Sequence, residues 1–240
     1  MKILSVECSA SPVSCAIVEN GRVKGRYYLN MNMTHSQTLM PMLDSLMKLT
    51  GDTPENIDLF AVSAGPGSFT GVRIGISAIK GLAFCDEKPC AAVSPLEAMA
   101  YNFSANDCMV IGCMDARCNQ VYNGIFKVKS GKIERVCEDR ALTISELIEE
   151  LKNTGCDIPG ILAGDGAHLV FEAAQKRGLE NIFLAPENLR FQDAVGVANV
   201  GEMMYNNEKC VKASDLLPIY LRLPQAEREL RAKKDMGEKK

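Results

Sequence analysis

Residues 61–84 read AVSAGPGSFTGVRIGISAIKGLAF: an apolar strand, a loop crowded with glycine, and a long apolar helix. Gly65, Gly67 and Gly71 bracket Pro66, Ser68 and Thr70, so the backbone is free to take positive φ and to turn its N–H groups into the bend. Such a loop holds either an anion or a neighbouring backbone. Thr70 is the expected N-cap, its hydroxyl accepting from the unpaired amides of the helix's first turn. Val72, Ile74, Ile76, Ile79, Leu82 and Phe84 follow, and only Arg73 and Lys80 bring charge. A helix apolar around most of its circumference needs cover on more than one side, inside a large domain or from a second subunit. A P-loop requires Lys and then Ser or Thr directly after its last glycine. Val72-Arg73 stand there instead, which favours a strand-to-helix turn over a phosphate cradle.

The 240 residues suffice for one large or two small domains. A net charge of -3 argues against gripping nucleic acid through the chain's own field, so any RNA contact is expected to be shared with a partner. The N-terminus enters a strand pattern without a basic leader, and no long uncharged apolar run follows, so a soluble, unexported chain is expected. The 10 cysteines include no C-x-x-C pair and mostly neighbour Val, Ile, Met or Ala, which reads as reduced thiols used as small core residues. The two histidines, His35 and His168, form no H-x-x-x-H pair, and no metal site is expected.

Along the chain, strands are expected over 3–8, 13–18 and 23–29, the last two joined by the hairpin dipeptide Asn20-Gly21. A helix opened by Thr34 or Ser36 runs to Thr50 and is ended by Gly51. A strand over 57–63, the glycine loop with its helix, a strand over 90–93 and a helix over 96–102 complete the order βββαβαβ. The second half repeats it, with strands over 110–115, 119–128 and 132–137, a helix over 144–151, a strand over 158–163, a helix over 168–176, a strand over 182–185 and a helix over 193–205. Residues 18–23 (VENGRV) match 128–133 (VKSGKI), and Gly65 falls where Gly164 does. Two copies of one supersecondary unit are implied. DLLPIYLRLP, from Asp215, reads as an extended ordered piece, and 225–240 as a mixed-charge tail without an apolar face.

A duplicated βββαβαβ unit resembles the α/β fold of actin, Hsp70 and the sugar kinases (the ASKHA type), with the second lobe reduced. His35-Ser36-Gln37 with Leu39 and Pro41, residues 65–75 (GPGSFTGVRIG), Lys80-Gly81-Leu82-Ala83, Val93-Ser94-Pro95-Leu96-Glu97-Ala98, Asp115-Ala116-Arg117, Gly164-Asp165-Gly166 and Leu217-Pro218-Ile219-Tyr220-Leu221-Arg222 closely resemble the TsaB (YeaZ) family. The likeness covers nearly all of 1–223. It implies an N-terminal lobe over 1–103, a C-terminal lobe over 104–223 and a tail over 224–240. It further implies a cytoplasmic protein, of a family once labelled glycoproteases, that acts in making threonylcarbamoyladenosine on tRNA as the non-catalytic partner of TsaD. TsaD holds the metal and carries out the transfer, and TsaE supplies an ATPase.

In nucleotide-binding members of the fold the first strand ends in Asp. Here Glu7-Cys8-Ser9 replaces the family's usual Asp-Thr-Ser. Glu7, Ser9, Asp115, Arg117, Gly164, Asp165 and Gly166 are the residues of an implied vestigial nucleotide cleft. An Asp to Arg pair such as Asp115–Arg117 is more often structural, and Gly164-Asp165-Gly166 is equally what an αβ turn needs. No cofactor of its own is expected, with ATP or ADP placed at the joint surface with TsaD. The interface is expected on the helices over 35–50 and 70–84, through His35, Leu39, Met42, Leu43, Leu46, Val72, Arg73, Ile76, Ile79 and Lys80, because methionine-rich faces adapt to partners. The same face would form a homodimer when the chain is alone, tRNA would be met only through the complex, and no membrane is involved. The plainer reading makes those methionines core filling. The alternative function is an autonomous ATP-dependent phosphotransferase or glycoprotease-like peptidase on the same fold.

Overall fold

The computed structural model describes residues 1–31, 33–84, 86–154 and 158–222; Cys85, Cys156 and the expected tail lie outside these. Strands β1 (Lys2–Glu7), β2 (Val13–Glu19) and β3 (Arg22–Leu29) form an antiparallel meander, followed by α1 (His35–Thr50), β4 (Leu59–Ser63), α2 (Phe69–Ala83), β5 (Cys90–Val93) and α3 (Pro95–Ala100). The second half supplies β6 (Cys108–Asp115), β7 (Gln120–Lys129), β8 (Lys132–Arg135), β9 (Arg140–Thr143), α4 (Ile144–Thr154), β10 (Gly160–Ala163), α5 (Ala167–Lys176), β11 (Ile182–Leu184), α6 (Glu187–Arg190) and α7 (Ala194–Asn206).

The first sheet has the order β3-β2-β1-β4-β5 and the second β8-β7-β6-β10-β11, the same path drawn twice. In each, a central strand pairs antiparallel with its hairpin neighbour and parallel with the strand that follows the helix. The two hairpins turn alike, with Asn20-Gly21 at φ 51 and 76 and Ser130-Gly131 at φ 51 and 77. Gly65 and Gly164 share positive φ, 117 and 107. The duplicated ASKHA-type α/β fold is therefore present. Among the described residues, β9, which pairs with β7, and the short α6 go beyond the sequence reading.

Both sheets are covered on both faces, which is why their central strands read as continuous apolar runs. Leu4, Val6, Val62 and Cys15 face α1 and α2, while Ile3, Leu59, Ala61 and Val93 face α7. In the second sheet Ile111, Val121 and Leu162 pack on α4 and α5, and Val110, Met114 and Phe126 pack on α3. Each half of the chain thus lends a helix to the other's sheet. Gly196 lets α7 touch α3 at this joint, since a Cβ there would stand 2.3 Å from the Ala98 carbonyl oxygen. Among the described cysteines, Cys8, Cys15, Cys90, Cys108 and Cys113 are buried free thiols.

An ionic latch fastens α3 to the second lobe. Ser94 caps α3 and donates its hydroxyl to Asp139 at 2.5 Å; Arg135 donates to Asp139 at 2.5 Å and to Glu97 of α3 at 2.6 Å, its guanidinium lying 4.7 Å from the Phe126 ring centroid.

The expected partner residues are corrected by their burial. Leu39, Met42, Leu43, Leu46, Val72, Ile76 and Ile79 all lie in the core between α1, α2 and the first sheet. The sheet's aliphatic face takes that side of both helices, and the plainer reading of Met42 holds. His35, Arg73 and Lys80 lie toward the outside, and so do Met40, 49% exposed, Leu49, 77%, and Phe84, 70%.

Candidate functional site

The glycine loop holds protein backbone. Ser68 donates its amide to the Ser9 carbonyl at 2.6 Å, and a Cβ at Gly71 would lie 2.0 Å from the Cys8 carbonyl oxygen. Ile219 donates its amide to the Ala64 carbonyl at 2.7 Å, and its own carbonyl oxygen covers Gly65, 2.3 Å from where a Cβ would stand. Ser68, rather than Thr70, caps α2: its Oγ accepts from the Gly71 amide at 3.2 Å, and Thr70 is exposed in the first turn. The helix begins at Phe69, two residues too early for Thr70 to reach an unpaired amide as its cap.

Beyond this loop the two lobes face each other across a cleft of ≈ 430 Å³. Ser9, Asp115, Arg117 and Asp165 line it, as the resemblance implies, together with Phe69, Tyr122, Tyr220 and Arg222, which sequence reasoning left out. Asp115 is tied to its own turn: Oδ1 accepts the Arg117 amide at 2.8 Å and Oδ2 pairs with the Arg117 guanidinium at 3.1 Å. Asp165 Oδ1 accepts from Gln192 at 3.2 Å, and burial raises its pKa. Gly164 and Gly166 pack under the cleft, where a Cβ would meet the Cys113 carbonyl oxygen at 2.1 Å and the Asp115 nitrogen at 2.8 Å.

Glu7 does not line the cleft. It is fully buried beside α7, with Oε1 accepting both the amide and the hydroxyl of Ser9 at 2.5 Å and Oε2 without a hydrogen-bond partner. Burial pushes its pKa up to about 7, against the pull of the Ser9 hydrogen bonds. A magnesium-bound triphosphate needs an acid at the end of β1 turned to the phosphates. Glu7 is turned to Ser9 and the glycine loop's amide is spent on Ser9, so these residues do not fit that group.

The C-terminal strap, 212–222, crosses both lobes. Lys80 Nζ donates to the Ser214 carbonyl at 3.0 Å, and Arg222 Nη1 donates to the Ala116 carbonyl at 2.8 Å. The LPIYLR segment marks the strap in sequence, but its contacts are all tertiary.

On the outer side, α1 and α2 flank an open groove of ≈ 670 Å³. Leu39, Met40, Ile74 and Ala78 give it an apolar floor, His35 and Arg73 a basic rim, and Phe69 lines both this groove and the interlobe cleft. Among the described residues neither histidine reaches a nucleophile: His35 Nε2 lies 3.3 Å from the Ser11 carbonyl, and His168 pairs with Glu172 at 3.0 Å. Among the described residues no helix is long and apolar enough to cross a membrane.

The family model described as "TsaD: tRNA N6-adenosine threonylcarbamoyltransferase" matches residues 30–216. The tRNA threonylcarbamoyladenosine biosynthesis protein TsaB of Bacillus subtilis (strain 168) is 30% identical over 229 residues, 95% of this chain and 96% of that one. The protein of the same name from Escherichia coli (strain K12) is 27% identical over 226 residues, covering 92% and 95%. The solved structure of YeaZ from Pseudomonas aeruginosa superposes with a TM-score of 0.75 at 26% identity, covering 92% of this chain and 99% of that one. With a relative this similar along almost its whole length, and with the fold of YeaZ, the chain belongs to the TsaB family.

Proposed function

We propose that the chain is a non-catalytic subunit in the synthesis of threonylcarbamoyladenosine on tRNA, which binds and activates the transferase TsaD. Family membership supports the pathway, since the relatives are named for it. The observation that carries the interface is the outward face of α1 and α2: an open apolar groove with a basic rim, in which Met40 stands exposed. Contiguous apolar surface of that kind marks a docking site. A subunit from a related family is a natural occupant, because the TsaD family model spans α1, α2 and most of the chain. In the absence of TsaD the same face pairs two copies of this chain. TsaE and tRNA join through the complex in the cytoplasm, and any ATP or ADP sits at the joint surface.

The autonomous phosphotransferase is disfavoured by Glu7, whose carboxyl is enclosed, and the peptidase by the histidines, neither of which lies within hydrogen-bond reach of a serine or cysteine side chain among the described residues. The test is to mix the chain with TsaD and follow association by size exclusion, alongside transferase activity with and without the chain. A stable complex with raised activity is expected. Full transferase activity from TsaD alone, with no complex, would overturn the assignment.

A further inference from the structure

Between its anchors the strap carries Tyr220, which stacks on Phe69 with ring centroids 4.7 Å apart. The Tyr220 hydroxyl accepts from Arg73 Nε at 2.7 Å, and the Arg73 guanidinium lies 3.7 Å over the Phe69 ring. One face and one N–H of Arg73 are thereby engaged, while its terminal amino groups have no partner among the described residues. An arginine ordinarily loses side-chain freedom when it binds, and this one has lost much of it beforehand. A guanidinium held by its Nε edge presents a pair of terminal N–H groups that matches a carboxylate. Among the described residues that line the groove, His35 and Arg73 are the charged or titratable ones and none is acidic, so its charge suits an acidic partner.

We propose that the strap's Tyr220 is a positioning residue which holds Arg73 as a preset fork, and that this fork receives an Asp or Glu carboxylate of the partner docked between α1 and α2. The proposal rests on the assignment of that groove to TsaD.

A double-mutant cycle tests it, with full-length chains titrated into TsaD by calorimetry and the thermal unfolding of each free chain recorded. Tyr220→Phe keeps the stacked ring and loses only the hydroxyl; it is expected to weaken binding about fivefold with the unfolding temperature unchanged, and Arg73→Ala to weaken it roughly thirtyfold. Tyr220→Phe is expected to add nothing in the Arg73→Ala background, and Arg73→Lys not to restore affinity. If Tyr220→Phe binds normally, or weakens binding equally in both backgrounds, Tyr220 does not act through Arg73 and the proposal falls. Met40→Glu serves as the control for the groove. Loss of binding there with normal binding of the Arg73 variants sinks this proposal alone, whereas normal binding of Met40→Glu sinks the groove assignment and the proposal with it.

Discussion

Glu7 accepts two hydrogen bonds from Ser9, one from its amide and one from its hydroxyl, through a single carboxylate oxygen at 2.5 Å, while the other oxygen is enclosed without a partner. The pairing closes the turn that places the Ser9 carbonyl over the glycine loop, so the first hairpin, the loop and α2 are fixed to one another.

The enclosed carboxyl makes stability depend on pH. Burial raises the Glu7 pKa from 4.5 to about 7, so across that window the folded chain holds a proton that the unfolded chain has released. Stability is therefore greatest at the acid end, falls as pH rises through the window and levels off above it, by about 3 kcal/mol in all. Glu7→Gln keeps an acceptor for Ser9 and removes the titration. Unfolding temperatures between pH 5 and pH 8 are expected to decline in the parent and to stay nearly level in the variant. Equal slopes would place the titrating group elsewhere.

Gly71 is set by contact, since its Cβ would lie 2.0 Å from the Cys8 carbonyl oxygen, a backbone atom fixed in the first hairpin. Gly71→Ala is expected to cost about 2–3 kcal/mol, the upper part of the usual overpacking range, despite the better helix propensity of alanine. Urea unfolding reads this directly, and an unchanged midpoint would mean that the hairpin yields freely.

The latch between Arg135, Glu97 and Asp139 is largely shielded from solvent, with Arg135 23% exposed, so it is worth more than a surface pair. Arg135→Ala is expected to lower stability by about 2 kcal/mol, because Glu97 and Asp139 are left without their cation. Chemical denaturation in low and high salt checks it, and a loss that vanishes in salt would show the latch to be a screened surface contact.

The duplication was legible because hairpin dipeptides and glycines are local signals: Asn20-Gly21, Ser130-Gly131, Gly65 and Gly164 adopt the conformations their positions require. The buried side of α1 was not. Leu39, Met40, Met42, Leu43, Leu46, Met47 and Leu49 spread over most of that helix, and only the sheet decides that Leu39, Met42, Leu43 and Leu46 go inside while Met40 and Leu49 stay out. The cap went to Ser68 over Thr70 because both carry hydroxyls and the loop's path alone chooses between them. Four residues of β9, RALT, lack both alternation and a turn signal. Of the cleft, Asp115, Arg117 and Asp165 followed from the family resemblance, whereas Tyr220 and Arg222 arrive on a strap without periodicity. Glu7 lies on the face of β1 that carries Ile3 and Ser5, and its burial comes from α7, far away in sequence.

The most direct measurement compares glutamate at two neighbouring positions of α1, with TsaD binding by calorimetry and thermal unfolding recorded for each chain. Met40 lies on the outer groove and Met42 in the core, 49% against 7% exposed. Met40→Glu is expected to unfold like the parent and to lose TsaD binding by roughly a hundredfold, while Met42→Glu is expected to lose several kcal/mol of stability. Met40→Glu binding TsaD as tightly as the parent would contradict the assignment of the α1–α2 groove as the docking surface.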